Sequence, residues 1–160
     1  MGIVGRFILR LLLVPLGGAV ATCIAALVLV VAHWNAFRAL AEASPQAQEE
    51  YLFALFVAGP ILATLLSMSA AMTFLPAAIG VLISETFAIR AWLYHAANGG
   101  LSAWIGWSLI HDMREEYRLF TEPTALVAAG IAGGFAYWLI AGWSAGFWKP
   151  IRQRRQPQHA

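Results

Sequence analysis

An all-α membrane protein, four transmembrane helices in an antiparallel bundle, is the fold class this sequence predicts, and three observations lead there. Residues of the apolar classes fill 61% of 160 positions, and mean hydropathy is +0.71, where soluble domains stay near half apolar. Four stretches, 11–32, 52–72, 74–97 and 124–148, are apolar and long enough to cross about 30 Å of hydrocarbon. The charges are also segregated. Arg6 and Arg10 precede the first stretch and Lys149, Arg152, Arg154 and Arg155 follow the fourth, while Glu42, Glu49, Glu50, Asp112, Glu115, Glu116 and Glu122 fall in the loops between. Basic residues beside span ends mark the cytoplasmic face, so both termini are expected in the cytoplasm of a bacterial inner membrane, with residues 1–160 forming one domain.

In the first span, Pro15 and Gly17-Gly18 favour a bend. Gly18, Thr22 and Ala26 recur every four residues as a packing face. Ala19-Val20-Ala21 resembles a signal-peptide cleavage site, but the apolar run continues well past it, so an uncleaved helix is expected, with Cys23 a small buried apolar residue. The polar stretch 35–50 has room for a short helix. In the second span Gly59-Pro60 removes a helical donor, and the Thr64 hydroxyl is a candidate to satisfy the freed carbonyl. A tight turn at 72–76, with Pro76 in the first turn of the next helix, would make spans two and three a hairpin.

Asn98-Gly99-Gly100 predicts a break after the third span. The outer segment of about 101–120 then combines an apolar part carrying Trp104 and Trp107 with an amphipathic helix. Leu109, Ile110, Met113, Tyr117 and Phe120 lie on one arc, opposite His111, Arg114, Glu115 and Arg118. Such a helix suits an interfacial lid or a docking face. The fourth span carries small-residue steps at Gly130/Gly134 and Gly142/Gly146, and a neighbouring stripe of Ala125, Ala129 and Gly133. Lipid supplies no hydrophobic drive for helix association, so such stripes bring helices together, and two of them leave one for another membrane subunit or a second copy. The basic tail 149–160 faces anionic lipid.

Glu85 is the one acid inside a span, with Arg90 five positions later but about 140° away around an ideal helix. Helix direction places Glu85 near mid-bilayer and leaves Arg90 to snorkel towards the outer headgroups. An unpaired carboxyl there is more stable as a neutral hydrogen-bond donor. Thr22, Cys23, Thr64, Ser67, Tyr137 and Trp138 lie at matching depth as partners. That predicts a structural clasp inside a non-enzymatic accessory or interaction subunit. The alternative is a proton-coupled transporter using Glu85.

His33 and His95, each expected at an outer helix end, would be the ligands if a b-type haem were bound, although no cofactor is expected. His111 with Asp112 and Glu115 lacks a second histidine for a metal centre. No nucleophile motif, phosphate-binding glycine loop or aspartate-rich magnesium motif is present. Catalysis and nucleic-acid binding are therefore not expected, and the partners are lipids and other membrane proteins.

The runs FLPAAIGVLISETFAIRAWLYHA, 74–96, and AAGIAGGFAYWLIAGWSAGFWKP, 128–150, resemble a group of small uncharacterised four-helix inner-membrane proteins of alphaproteobacteria. That resemblance rests on Glu85 and Arg90 five apart and on Gly133-Gly134 followed by Tyr137-Trp138. It covers the third and fourth helices, and implies an architecture without a function. Glu49-Glu50-Tyr51 is also similar to the acidic entry to the second span in the small membrane subunit of binding-protein-dependent secondary transporters. The basic, histidine-containing turn of that family is missing from 68–76.

Overall fold

Long unbroken runs of Ala, Leu, Val and Ile favour helix over any turn, and all regular structure is helical among the residues described by the computed structural model, 3–113 and 123–146. In order these are α1 (Ile3–Ala32), α2 (Trp34–Ala41), α3 (Pro45–Phe87), α4 (Trp92–Met113) and α5 (Thr124–Ile140), followed by a 3-10 turn at Gly142–Ser144. Helix α5 is central, packing against α1 on one side and α4 on the other, and α4 packs in turn on α3.

The contacts set an antiparallel register throughout. On α1, Gly17 meets Tyr137 and Ala141, while Ala21 and Ala25 meet Gly133; between α4 and α5, Gly99 meets Gly130 and His95 meets Gly134. Between α3 and α4, Tyr94 Oη donates to Gly80 O at 2.8 Å and Asn98 Nδ2 to Ala77 O at 3.2 Å. The start of α1, the end of α3, the start of α4 and the end of α5 therefore share one end of the bundle.

Two helical stretches, Ile8–Ala32 and Ala70–Phe87, are long and apolar enough to cross a membrane. A soluble core helix would bury such residues. Here Leu12 is 68% exposed and Leu82 65%, as side chains facing lipid would be.

Several sequence expectations are corrected. No turn forms at 72–76, because α3 runs unbroken through it: the segment has no Gly or Asn, and Ala70, Ala71 and Met72 are strong helix formers. The break comes instead at Ala88 to Ala91, so the expected third span 74–97 is divided between α3 and α4. Residues 70–87 then run opposite to the direction expected of them. Nor is Asn98-Gly99-Gly100 a break. It is a packing notch inside α4, where Gly99 lies on the Gly130 carbonyl and the Asn98 amide reaches α3. The 101–113 part of the outer segment continues α4; its remainder to 120 lies outside the described residues, as do Glu115 and the tail 149–160.

The packing face of α1 is one residue out of the expected register. Gly18 has open space where a Cβ would be, and Thr22, Cys23 and Ala26 are exposed. Gly17, Ala21 and Ala25 make the contact instead. Both small-residue stripes of α5 are used within the chain, Gly130 and Gly134 against α4 and Gly133 against α1, so the face expected to remain for another subunit is filled. Helix α5 ends at Ile140 rather than 148, of which 147–148 lie outside the described residues, so Gly142 and Gly146 are not a helical step.

The two glycine environments predict substitutions of opposite sign. A Cβ at Gly134 falls on the His95 backbone carbonyl, so Gly134→Ala should destabilise by about 1–3 kcal/mol as the helices are forced apart. At Gly18 nothing lies within 4 Å, and Gly18→Ala should gain up to about 1 kcal/mol from helix propensity. Thermal unfolding of both variants in mild detergent checks this; equal shifts would contradict the register.

Candidate functional site

The end of α5 leaves carbonyls without helical donors, and among the described residues this is where the buried Arg10 and the half-buried Glu85 and Arg90 gather. Ala141 and Ala145 are fully buried. Arg10 Nη1 donates to Ala141 O at 2.6 Å, and Arg90 Nε donates to Ala145 O at 2.9 Å. Glu85 meets Arg10 at 3.1 Å between Oε1 and Nη2, and its Oε2 accepts the Gly146 backbone N–H at 3.0 Å. Three charged side chains from α1, α3 and the α3–α4 link thus hold the unwound end of α5.

Local structure explains how they arrive. Helix α3 ends with Ala88 in the left-handed region at φ 55°, and the Ala88 and Ile89 N–H groups both return to Ser84 O, a Schellman-type stop usually made with glycine. The reversal carries Arg90 back over the bundle end, where Trp138 Nε1 donates to the Arg90 carbonyl at 2.8 Å. Gly146, at φ 89°, lies directly against Ala88. A side chain at 146 would be excluded twice, by its φ and by that contact.

Tyr137 and His95 complete the cluster. Their rings lie 5.4 Å apart, His95 Nε2 donates to Ile89 O at 3.3 Å, and Gly142 leaves room for the imidazole. His95 is 2% exposed and Tyr137 6%. The Ala141 N–H donates to Tyr137 O at 2.8 Å, which sets Tyr137 one turn before the carbonyl that Arg10 holds.

Of the residues singled out from sequence, Glu85, Arg90 and Tyr137 come together at one end. Glu85 lies two positions from the end of α3 rather than in mid-span, and the counter-charge it was expected to lack is supplied by Arg10. Arg90 turns inward to Ala145 instead of snorkelling outward. Thr22 and Thr64 are not part of the site: each hydroxyl donates to the carbonyl four residues back in its own helix, Gly18 O and Pro60 O. Thr64 therefore does not serve the carbonyl freed by Pro60, and Ser67 likewise bonds locally, to Thr64 O.

His33 and His95 do not face one another. His33 Nδ1 donates to Leu29 O at the far end of α1, whereas His95 lies level with Tyr137 and hence with Gly17. The sixteen residues from Gly17 to His33 rise about 24 Å, too far for both histidines to ligate one haem iron. Arg10 is the residue that sequence reasoning missed. Its signal was an apolar flank on both sides, Phe7-Ile8-Leu9 and Leu11-Leu12-Leu13, which sets it apart from the basic residues that mark a span end.

The fold and site define an all-helical protein with two helices able to cross a membrane and a charged clasp at one bundle end. Comparison with protein-family models, curated proteins and solved structures gave no match.

The clasp predicts non-additive energetics. Arg10→Ala or Glu85→Ala alone strands a buried charge and should cost about 3–5 kcal/mol, and the double variant should cost clearly less than the sum. Chemical unfolding in detergent measures the cycle, and additivity would show the two residues to be uncoupled. Ala88→Gly relieves the left-handed backbone and should stabilise by about 1 kcal/mol in the same assay.

Proposed function

We propose that this chain is a four-span inner-membrane protein with cytoplasmic termini, acting as a non-enzymatic accessory or interaction subunit of a larger membrane assembly. Its crossing segments are α1, the second half of α3, α4 and α5. The observation that carries the reading is the length of α3. Its 43 residues extend about 65 Å, roughly twice the hydrocarbon thickness, and even a 40° tilt accommodates only about 39 Å of helix.

Lipid therefore cannot cover the whole of α3. The second half lies beside α4, but residues 49–57 are exposed throughout, with Phe53 at 70% and Phe56 at 82%. An apolar surface of this kind beyond one bilayer thickness calls for protein, and an apolar helix of another membrane subunit is the partner it fits. The small-residue faces of α5 are already engaged, so the partner surface moves from the fourth span, where the sequence had placed it, to the first half of α3.

Glu85 fits the same reading. A carboxylate paired with Arg10 and accepting a backbone N–H is a structural clasp; a proton-coupled carrier would need it to titrate during turnover. The discriminating variant is Glu85→Gln, which keeps hydrogen bonding without titration. Complex formation and cellular activity should survive it; loss of activity in a protein that still folds and assembles would favour transport.

Affinity purification from mild detergent tests the assembly directly. The chain should bring down a second membrane protein, and Phe53→Ser with Phe56→Ser should release that protein while the bundle keeps its melting temperature. Elution as a lone monomer would overturn the proposal, and a pure homo-oligomer would replace the foreign subunit with a second copy.

A further inference from the structure

Three side-chain atoms in the clasp are buried and make no hydrogen bond to any described group: Arg10 Nη2, Glu85 Oε1 and Tyr137 Oη. The first two stand 3.1 Å apart, close enough for ionic attraction but not aligned as a hydrogen bond. Tyr137 stands one helical turn before Ala141, whose carbonyl Arg10 holds. With Arg10 8% and Tyr137 6% exposed, bulk solvent has little access to them. Buried polar groups without partners are rare in native proteins, and three around one ion pair share a single explanation.

The chemistry of the three atoms narrows the ligand. Arg10 only donates, ionised Glu85 only accepts, and the tyrosine hydroxyl does either. A cation would be opposed by Arg10 and an anion by Glu85, so the occupant is neutral. It must accept from the guanidinium, donate to the carboxylate and exchange a hydrogen bond with the phenol. Water meets all three demands, and two to four polar partners are what buried waters typically have.

We infer that Arg10, Glu85 and Tyr137 form a binding site for one ordered water, which joins α5 to the ion pair between α1 and α3. Tyr137 is thereby a positioning residue of the clasp, acting through the water and not merely filling space against Gly17. The inference stands on the geometry of the clasp and does not depend on the subunit reading.

Water-edited solid-state NMR of the full chain in lipid bilayers, labelled at arginine and tyrosine Cζ and alanine Cβ, tests it. Magnetisation from water should reach Arg10 Cζ and Tyr137 Cζ at short mixing times, while Cβ of the equally buried Ala136 and Ala141 remains dark. A dark Arg10 or a dark Tyr137 would overturn the inference. Tyr137→Phe keeps the ring and removes the hydroxyl, and should slow transfer to Arg10; an unchanged build-up would show that Arg10 is wetted from outside and would overturn it as well.

Discussion

The Arg10–Glu85 pair is the constraint on which the rest of the bundle depends, because it fixes how far each helix slides along its neighbours. Its two residues are separated by 75 positions in sequence, and their remaining contacts, Ala141 O and Gly146 N–H, lie more than 50 positions further on. Desolvating two charges offsets most of their attraction, so the pair adds little net stability by itself. What it supplies is register. Any axial slip of α1, α3 or the end of α5 leaves a buried charge without its partner, which is far costlier than the pair is favourable.

Such a device is needed because the helix faces around α5 are smooth. Gly130, Gly133 and Gly134 let α1 and α4 approach to backbone contact, but small residues interdigitate poorly and discriminate weakly between neighbouring registers. Directional contacts make the selection: Tyr94 to Gly80, Asn98 to Ala77, Trp138 to Arg90, and the ion pair. Close packing supplies contact area, and hydrogen bonds choose among the positions that packing permits. The left-handed Ala88 belongs to the same arrangement, since the turn it allows is what returns Arg90 to the end of α5.

The helical class, the end of α1 at Ala32 and the small-residue faces of Gly130, Gly133 and Gly134 were legible in the sequence because composition and spacing are local properties. The start of α1 was not, since the helix begins at Ile3 and takes in Arg10. The failures were cases where a residue's local tendency was overruled by a distant contact. Asn98-Gly99-Gly100 has the composition of a turn, yet Gly130 and Ala77 make it a notch in a continuous helix. Gly18 and Gly17 are indistinguishable by spacing, and only the position of Tyr137 decides which faces α5. Glu85 was recognised as anomalous, but its partner was assigned to membrane orientation, since no local rule links residue 10 to residue 85.

The first half of α3 is more than surplus length, because both of its ends are built. Ser44 caps the helix by accepting from the Ala47 N–H at 3.3 Å, Pro45 occupies the first turn, and Gln48 Nε2 reaches back to Ala41 O and Ala43 O at 3.3 and 3.1 Å. Those bonds lock the elbow between α2 and α3. At the other end the helix runs without interruption into the segment bonded to α4. Pro60 removes one backbone donor midway, and the Thr64 hydroxyl does not replace it, since it donates to Pro60 O. A helix capped at its start, anchored at its finish and carrying exposed Phe53 and Phe56 between them holds its apolar face in a fixed orientation. Fixed orientation lowers the ordering entropy lost on docking, so the geometry of α3 favours a partner that binds along its side.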